Sequence, residues 1–204
     1  MGKLENRDYV LVIDKSGSMS DTDTPTGQSR WNYAKESAFA IAKKCQTLDP
    51  DGITLIAFNS SFKTYENTTD GKIKDIFSEN DPMGGTTLAP VLKSVFDNYL
   101  SQKKAGTSKA NGVLMMVITD GQPQDENEVA KNIVSFTKQL ESGDDEFGIS
   151  FIQVGKDPSA TKFLKKLDDD LTAQGAKFDI VDTKTMDEVA TIGLTETLMA
   201  ALED

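Results

Sequence analysis

Short apolar runs alternate with longer amphipathic segments along nearly the whole chain, and this alternation constrains the fold more than any other feature. The apolar runs predict β-strands at residues 9–13, 53–58, 62–65, 112–119, 147–155 and 177–182. The segments between and after them predict helices at residues 29–48, 73–78, 88–100, 159–174 and 185–201, and one from Asp125 or Asn127 to about Leu140. Because strands that alternate with helices pair in parallel, the sequence predicts an α/β fold, a doubly wound sheet with helices on both faces.

One connection between predicted strands is too short for a helical crossover. Asn59-Ser60-Ser61 joins the strand at residues 53–58 to the strand at residues 62–65. A link of this length permits only an antiparallel hairpin, and Lys63 suits an exposed sheet edge. The predicted sheet is therefore mostly parallel, with one antiparallel edge strand.

The first predicted strand ends in a carboxylate that is followed by two hydroxyls, in Asp14-Lys15-Ser16-Gly17-Ser18. In an open α/β sheet, ligands bind at the carboxyl ends of the strands. Carboxylate and hydroxyl oxygens are hard donors, which suit a magnesium-class cation better than a soft metal. The sequence therefore predicts a divalent-cation site at this strand end.

This stretch resembles the metal-ion-dependent adhesion site of von Willebrand factor type A domains, whose first motif is Asp-x-Ser-x-Ser. Two further segments resemble that family's second and third motifs, in the family's order: Gly84-Gly85-Thr86-Thr87-Leu88 and Ile118-Thr119-Asp120-Gly121. The resemblance covers nearly the whole chain. It implies a three-layer, Rossmann-like fold with strand order three-two-one-four-five-six, in which Asp14 and Asp120 face the same crevice.

The resemblance also implies a ligand set, a cofactor and a function. The implied metal ligands are Asp14, Ser16, Ser18, Thr86 and Asp120, of which the two aspartates act directly or through ordered waters. Thr86 is preferred to Thr87 because the family's ligand directly follows the second glycine. The implied cation is Mg²⁺, with Mn²⁺ or Ca²⁺ as alternatives. A coordination position left open would accept an acidic side chain of a protein partner. The chain is thus expected to be a metal-dependent protein-binding module of the small cytoplasmic bacterial type, and not an enzyme.

Other interpretations of the same residues stay open at the level of sequence. The two serines could simply satisfy the backbone at a turn, Asp120-Gly121 could be an ordinary turn, and Thr86 could cap a helix. A phosphohydrolase of the haloacid dehalogenase type also carries an aspartate after its first strand, but Ser16 stands where its general acid would be. A scaffold with a structural metal is a third possibility. Hydrolysis by Ser-His-Asp is excluded because the sequence has no histidine.

A few polar residues near these motifs have less specific interpretations. Gln28, Arg30 and Gln122 are candidate contacts for a partner at the rim of the site. Asp21 and Asp23 belong to a polar loop that does not fit an EF-hand, since Thr26 and Asn32 stand where that loop needs Gly and Glu. This loop is expected to be solvated.

Length, charge and cysteine usage limit the remaining possibilities. The 204 residues suit a single domain spanning 1–204, with residues 1–8 as a flexible polar start. A net charge of −11 argues against nucleic acid and anionic membranes as partners. Cys45 is the sole cysteine, which favours a reducing cytoplasm, and no apolar run predicts a signal peptide or a membrane span. The free protein is expected to be a monomer.

Overall fold

The computed structural model describes residues 4–192, which form a six-stranded sheet between two layers of helices. The elements in chain order are β1 (Asp8–Asp14), a 3₁₀ turn (Gly17–Ser20), α1 (Arg30–Leu48), β2 (Ile53–Phe58), β3 (Phe62–Thr68), α2 (Asp70–Glu79), α3 (Ala89–Ala105), β4 (Val113–Thr119), α4 (Glu126–Thr137), a second 3₁₀ turn (Gly143–Asp145), β5 (Phe147–Gln153), α5 (Pro158–Asp169), β6 (Val181–Thr185) and α6 (Met186–Ile192). Within the described range, no helix combines the length and the apolar character needed to cross a bilayer.

The strand order is β3-β2-β1-β4-β5-β6, as the family resemblance implied. All neighbouring pairs are parallel except β2 and β3, which form the antiparallel hairpin that the short connection predicted. β1 and β4 are neighbours at the centre although about a hundred residues separate them, and Ile13 lies opposite Ile118. The residues that directly follow these two strands are therefore brought side by side.

Each face of the sheet buries its own hydrophobic core, because strand side chains alternate between the two faces. Val12, Val117 and Phe151 pack with residues of α3, α4 and α5. On the other face, Leu11 and Met116 pack with residues of α1, α2 and α6. The predicted doubly wound α/β fold with helices on both faces is thus confirmed.

The last strand lies later in the chain than predicted. The sequence predicted a strand at residues 177–182, whereas pairing with β5 starts at Val181 and continues to Thr185. Residues 177–180 instead pass the end of α4, where the Lys177 N–H donates to Thr137 Oγ1 (3.0 Å) and the Lys177 ammonium to the Leu140 carbonyl. The strand prediction was wrong here because an edge strand with the sequence Val-Asp-Thr-Lys-Thr shows little apolar alternation.

Two helix ends also differ from the prediction. α3 continues to Ala105, beyond the predicted end at residue 100, and the helix stops where Gly106 adopts a left-handed conformation (φ 70°). α5 ends at Asp169 instead of residue 174, although Leu171 beyond it is still buried. The periodicity of apolar residues in the sequence reflects which side chains are buried. In α5, buried side chains continue beyond the last helical residue, so the predicted helix was too long.

The start of the described range differs from its prediction, whereas the start of the last helix agrees with it. Residues 4–8, predicted as part of a flexible start, pack against the body: Leu4 is buried and its carbonyl accepts from the Tyr9 hydroxyl (2.5 Å). At the other end, α6 opens with a capping box, in which Thr185 and Glu188 exchange hydrogen bonds. The part of the predicted helix 185–201 beyond Ile192 lies outside the described residues.

Candidate metal centre

Asp14 ends β1, and the two central strands fix its carboxylate. Its side chain is fully buried (0% exposed). Oδ1 accepts a hydrogen bond from the Ser16 N–H (2.7 Å), and Oδ2 accepts one from the hydroxyl of Thr119, the last residue of β4 (2.7 Å). Thr119 belongs to the third motif, but the sequence assigned it no role. It orients the Asp14 carboxylate from the neighbouring strand.

A series of side-chain oxygens connects the first loop to the third. Ser16 Oγ lies 3.2 Å from Ser18 Oγ, and Ser18 Oγ donates to Asp120 Oδ1 (3.0 Å). Asp120 directly follows β4 and is 1% exposed. Four of the five residues proposed from the sequence as ligands therefore lie together at the carboxyl edge of the sheet, as the crevice prediction required.

The loop that carries Thr86 lies between the other two loops. The Gly84 carbonyl accepts from the Gly17 N–H (3.0 Å), and the Thr86 carbonyl accepts from the Gln124 N–H (2.9 Å). Gly84 has a φ of 77°, a left-handed conformation that favours glycine. These backbone bonds bring Thr86 beside both the first and the third loop, and its side chain is largely buried.

Asp125 also holds the second loop against the third, in a way that the sequence did not predict. It was expected to cap the helix that follows it, and it does occupy the N-cap position of α4, but its carboxylate makes no capping bond there. Instead Oδ1 accepts from the Leu88 N–H (3.0 Å) and Oδ2 from the Ala89 N–H (2.8 Å). The carboxylate therefore binds the first backbone N–H groups of α3, which directly follow the Thr86 loop.

Burial and mutual repulsion act on the two carboxylates of the site. Burial, followed by the negative charge of Asp120, raises the pKa of Asp14 to about 6. Burial also raises the pKa of Asp120, although hydrogen bonds from Arg30 and Ser18 oppose that rise. Two acids that resist ionisation in one another's presence favour a cation between them.

Arg30 already supplies one positive charge at this place. Its Nη1 donates to Asp120 Oδ2 (2.9 Å), while Nε and Nη2 donate to the two oxygens of Asp23 (2.7 Å each). Only 9% of its side chain is exposed. The expectation that Arg30 is a rim contact was therefore wrong. Asp23, expected in a solvated loop, is held by Arg30, whose hydrogen bonds lower the pKa of Asp23.

The other two rim candidates lie at or near the surface and bond to neighbours on their own segments. Gln122, in the third loop, is exposed, and its amide donates to Glu126. The Gln28 amide donates to Glu36 on α1 (3.2 Å). Met83 also lies at this edge with 61% exposure, while its backbone N–H is fixed to the Lys15 carbonyl (2.8 Å). No sequence motif indicated that Met83 would lie at this edge.

The donor set fits a hard divalent cation. Residues 4–192 contain no group of three or more His, Cys, Asp and Glu side chains placed to hold a metal. The candidate centre has two carboxylates, Asp14 and Asp120, and must complete its coordination with hydroxyls and water. Mg²⁺ is commonly bound by one or two carboxylates while it keeps several waters, so this chemistry suits it or Mn²⁺.

Comparisons with known proteins identify the fold independently. A family model described as von Willebrand factor type A domain matches residues 9–122, which is more than half of the chain. A comparison with curated proteins gave no match.

Solved structures of three proteins are similar to this chain at low sequence identity. The D319A mutant of the PilB minor pilin from Streptococcus sanguinis is 15% identical with a TM-score of 0.63, over 98% of this chain and 62% of that one. The pilus adhesin SpaC from Lactobacillus rhamnosus GG is 13% identical with a TM-score of 0.64, over 97% and 30%. The manganese-loaded TRAP protein of Plasmodium vivax is 16% identical with a TM-score of 0.58, over 94% and 73%. The chain thus spans less than two thirds of the first two proteins, and at these identities the likeness shows a shared fold.

Proposed function

The chain belongs to the von Willebrand factor type A domain family, and from that premise we propose that it is a metal-dependent protein-binding module. In this proposal Asp14, Ser16, Ser18, Thr86 and Asp120 hold a divalent cation, preferably Mg²⁺, at a metal-ion-dependent adhesion site. When bound, the cation offers an open coordination position that an acidic side chain of a partner protein fills.

One observation carries the proposal: two buried carboxylates and two serine hydroxyls from distant parts of the chain meet at a single strand edge. Ser18 Oγ reaches both Ser16 Oγ and Asp120 Oδ1, across a sequence separation of 102 residues for the latter pair. If Ser16 and Ser18 served only to satisfy the backbone of their own turn, they would not need the Asp120 carboxylate beside them. The manganese-loaded TRAP protein shows that a metal occurs in a protein of this fold, and this supports the same proposal.

The charges explain why a cation would help this protein to bind an acidic partner. The chain carries a net charge of −11, so an approaching carboxylate is repelled on average. The serine and threonine hydroxyls are neutral, so they ligate the ion without cancelling its charge. The residual positive charge would then attract the partner's acid locally.

A thermal-shift experiment with a charge-neutralising variant tests the cation site. Mg²⁺ at about a hundred times its dissociation constant should raise the melting temperature of the wild type by about 5–10 °C. Asp14→Asn should remove this increase, because it removes one of the two charges that attract the ion. Asp169→Asn is the matched control, since Asp169 is exposed at the end of α5, and it should keep the full increase. An equal metal response in wild type and Asp14→Asn would contradict the proposed ligand set.

Partner binding is tested by adding or removing the cation. Association with an acidic protein partner should require Mg²⁺ and should be lost in excess chelator and in Asp14→Asn. Association that persists unchanged in chelator would contradict docking through the metal.

The absence of enzymatic activity and the location in the cytoplasm are parts of the same proposal. The haloacid dehalogenase alternative would predict phosphatase turnover that Asp14→Asn abolishes, and we expect no such turnover because Ser16 replaces the general acid.

A scaffold with a structural metal would bind Mg²⁺ but would associate with its partner equally well when Asp120 is neutralised. Cell fractionation tests the proposed location.

A further inference from the structure

Arg30 occupies a site built for a guanidinium rather than a place at the surface. It is the first residue of α1, and three of its N–H groups donate to two carboxylates, those of Asp23 and Asp120. Gly155 forms one wall: a Cβ at this position would lie 2.4 Å from Arg30 Nε, and Gly155 has a φ of 76°. A larger residue there would displace the guanidinium.

The contacts of Arg30 leave Asp120 with both carboxylate oxygens engaged. Oδ1 accepts from the Ser18 hydroxyl (3.0 Å) and Oδ2 accepts from Arg30 Nη1 (2.9 Å). A cation that takes a lone pair of Ser18 Oγ leaves the Ser18 O–H free to keep donating to Asp120. Each carboxylate oxygen keeps a second lone pair, but a cation at Asp120 Oδ2 would lie beside the Arg30 guanidinium, and the two positive charges would repel each other.

We propose that Arg30 is a positioning residue that holds Asp120 away from direct contact with the cation and thereby weakens cation binding. The inference rests on the proposed metal site and deepens it. The charge of Arg30 offsets part of that of Asp120, since Arg30 is shared with Asp23 and lies 3.6 Å from Asp21, so Asp14 is the carboxylate whose charge acts most fully on the ion. A cation bound in this way keeps more of its charge, and more of its water, for a partner's carboxylate to replace.

Asp23 keeps Arg30 in this position from the outer side. Its carboxylate binds Nε and Nη2 in a two-point contact, although 42% of its side chain is exposed. The guanidinium of Arg30 stays charged, as arginine side chains in proteins do. Asp23 and Arg30 together therefore hold the start of α1 against the third loop, which carries Asp120.

Cation titration of Arg30 variants tests this inference. In Arg30→Gln, Asp120 is released and a like charge is removed near the ion, so Mg²⁺ should bind about tenfold more tightly by calorimetry. The melting temperature in chelator should fall, because two carboxylates lose their partner. Arg30→Lys keeps the charge but cannot bond both carboxylates at once, and it should tighten Mg²⁺ binding by a smaller factor, about two- to threefold.

A second measurement separates positioning from a purely structural role. Water-proton relaxation of bound Mn²⁺ reports how many waters the ion keeps, and Arg30→Gln should lower this number as Asp120 enters the coordination sphere. Unchanged or weaker Mg²⁺ affinity in both folded variants, or in Arg30→Lys if Arg30→Gln does not fold, would overturn the inference and leave the proposed function standing. Failure of the wild type to bind any divalent cation would overturn both.

Discussion

At the scale of single residues, the site depends on side chains that do not themselves belong to the ligand set. The Thr119 hydroxyl on β4 donates to Asp14 on the neighbouring strand β1. Arg30 donates to Asp120, which lies 90 residues later in the chain. Each fixes one carboxylate oxygen in a region with almost no solvent. Two of the proposed ligands, Asp14 and Asp120, are therefore oriented without a cation, and in the proposed site this would reduce what cation binding must order.

Removal of the Thr119 hydroxyl should affect both stability and cation affinity. Thr119→Val is close to the same shape, but it leaves Asp14 Oδ2 without its donor in a buried position, which costs about 1–3 kcal/mol of unfolding free energy. The carboxylate also loses its fixed orientation, so Mg²⁺ should bind several-fold more weakly. Chemical denaturation and calorimetry measure the two effects.

Thr68→Val is a suitable control for this change. Thr68 is also buried and also donates a hydrogen bond, to the Tyr65 carbonyl (3.0 Å), but it lies at the end of β3, on the opposite edge of the sheet. The Thr68→Val variant should have a lower free energy of unfolding without any change in Mg²⁺ affinity. Equal cation affinity in the two threonine variants would show that Thr119 has no role in the site.

At the scale of elements, the three loops hold one another through bonds that cross between helices and strands. The backbone links Gly17 to Gly84, and Thr86 to Gln124. Asp125, at the start of α4, binds the first N–H groups of α3. The second loop therefore takes its position from the third, and the proposed ligand Thr86 is carried with it.

Replacement of Asp125 should loosen the second loop as well as the helix. Asp125→Ala removes the acceptor for two N–H groups at the start of α3, a loss worth about 1–2 kcal/mol by analogy with helix caps. Because Thr86 lies directly before those groups, cation affinity should fall along with stability. Thermal melting with and without Mg²⁺ measures both effects.

Asp157→Ala provides the comparison for this prediction. Asp157 caps α5 by accepting from the Ser159 N–H (2.8 Å), and it bonds to none of the three loops. Its replacement should cost similar stability while the increase in melting temperature on adding Mg²⁺ stays intact. Loss of that increase in Asp157→Ala would mean that general destabilisation, not loop position, weakens the site.

At the scale of the whole molecule, the two edges of the sheet have different characters. The carboxyl edge carries the candidate site, whereas ion pairs and hydrogen bonds that are at most partly buried close the opposite edge. There Glu146 accepts from the Lys103 ammonium (2.7 Å) and the Tyr99 hydroxyl (2.9 Å) on α3, and from the backbone N–H groups of Glu141 and Ser142. These bonds fix α3 to the start of β5.

Glu146 makes a pH-dependent contribution to the stability of that edge. Burial raises its pKa, but the bonds from Lys103, the Glu141 N–H, Tyr99 and the Ser142 N–H outweigh burial and lower the pKa below its ordinary value of 4.5. A lowered pKa means that stability is present above pH 4.5 and is lost as the pH falls through the folded-state value. Glu146→Gln should therefore be less stable than the wild type near pH 7, by about 1 kcal/mol or more, and the difference should shrink below pH 4.5.

Glu141→Gln is the control, because Glu141 also pairs with Lys103 (3.2 Å) but 79% of its side chain is exposed. It should change stability little at any pH. Denaturation curves between pH 3 and pH 7 compare the three proteins. A constant difference between wild type and Glu146→Gln across that range would show that its ionisation does not contribute.

The sequence was sufficient for the central sheet, which depends on local patterns, whereas the proposed ligand set came with the family resemblance and stays a prediction. A strand buried on both faces, such as β4, is recognisable as a continuous apolar run, and the short link at residues 59–61 permits a hairpin alone. Each proposed ligand directly follows such an element or lies in a glycine turn. The order of the strands came with the family resemblance, and the structure confirms it.

The tertiary structure alone decided which side chains surround those ligands. Arg30 and Asp125 have local sequences typical of a surface residue and of a helix cap, and neither pattern indicates a partner in a distant loop. β6 was misplaced because its polar residues pair with β5 through the backbone, which side-chain hydropathy does not record. The periodicity of apolar residues in a short segment indicates which of its side chains are buried. The register of β1 against β4 determines which distant atoms come within hydrogen-bond distance. That register exists only in the folded sheet.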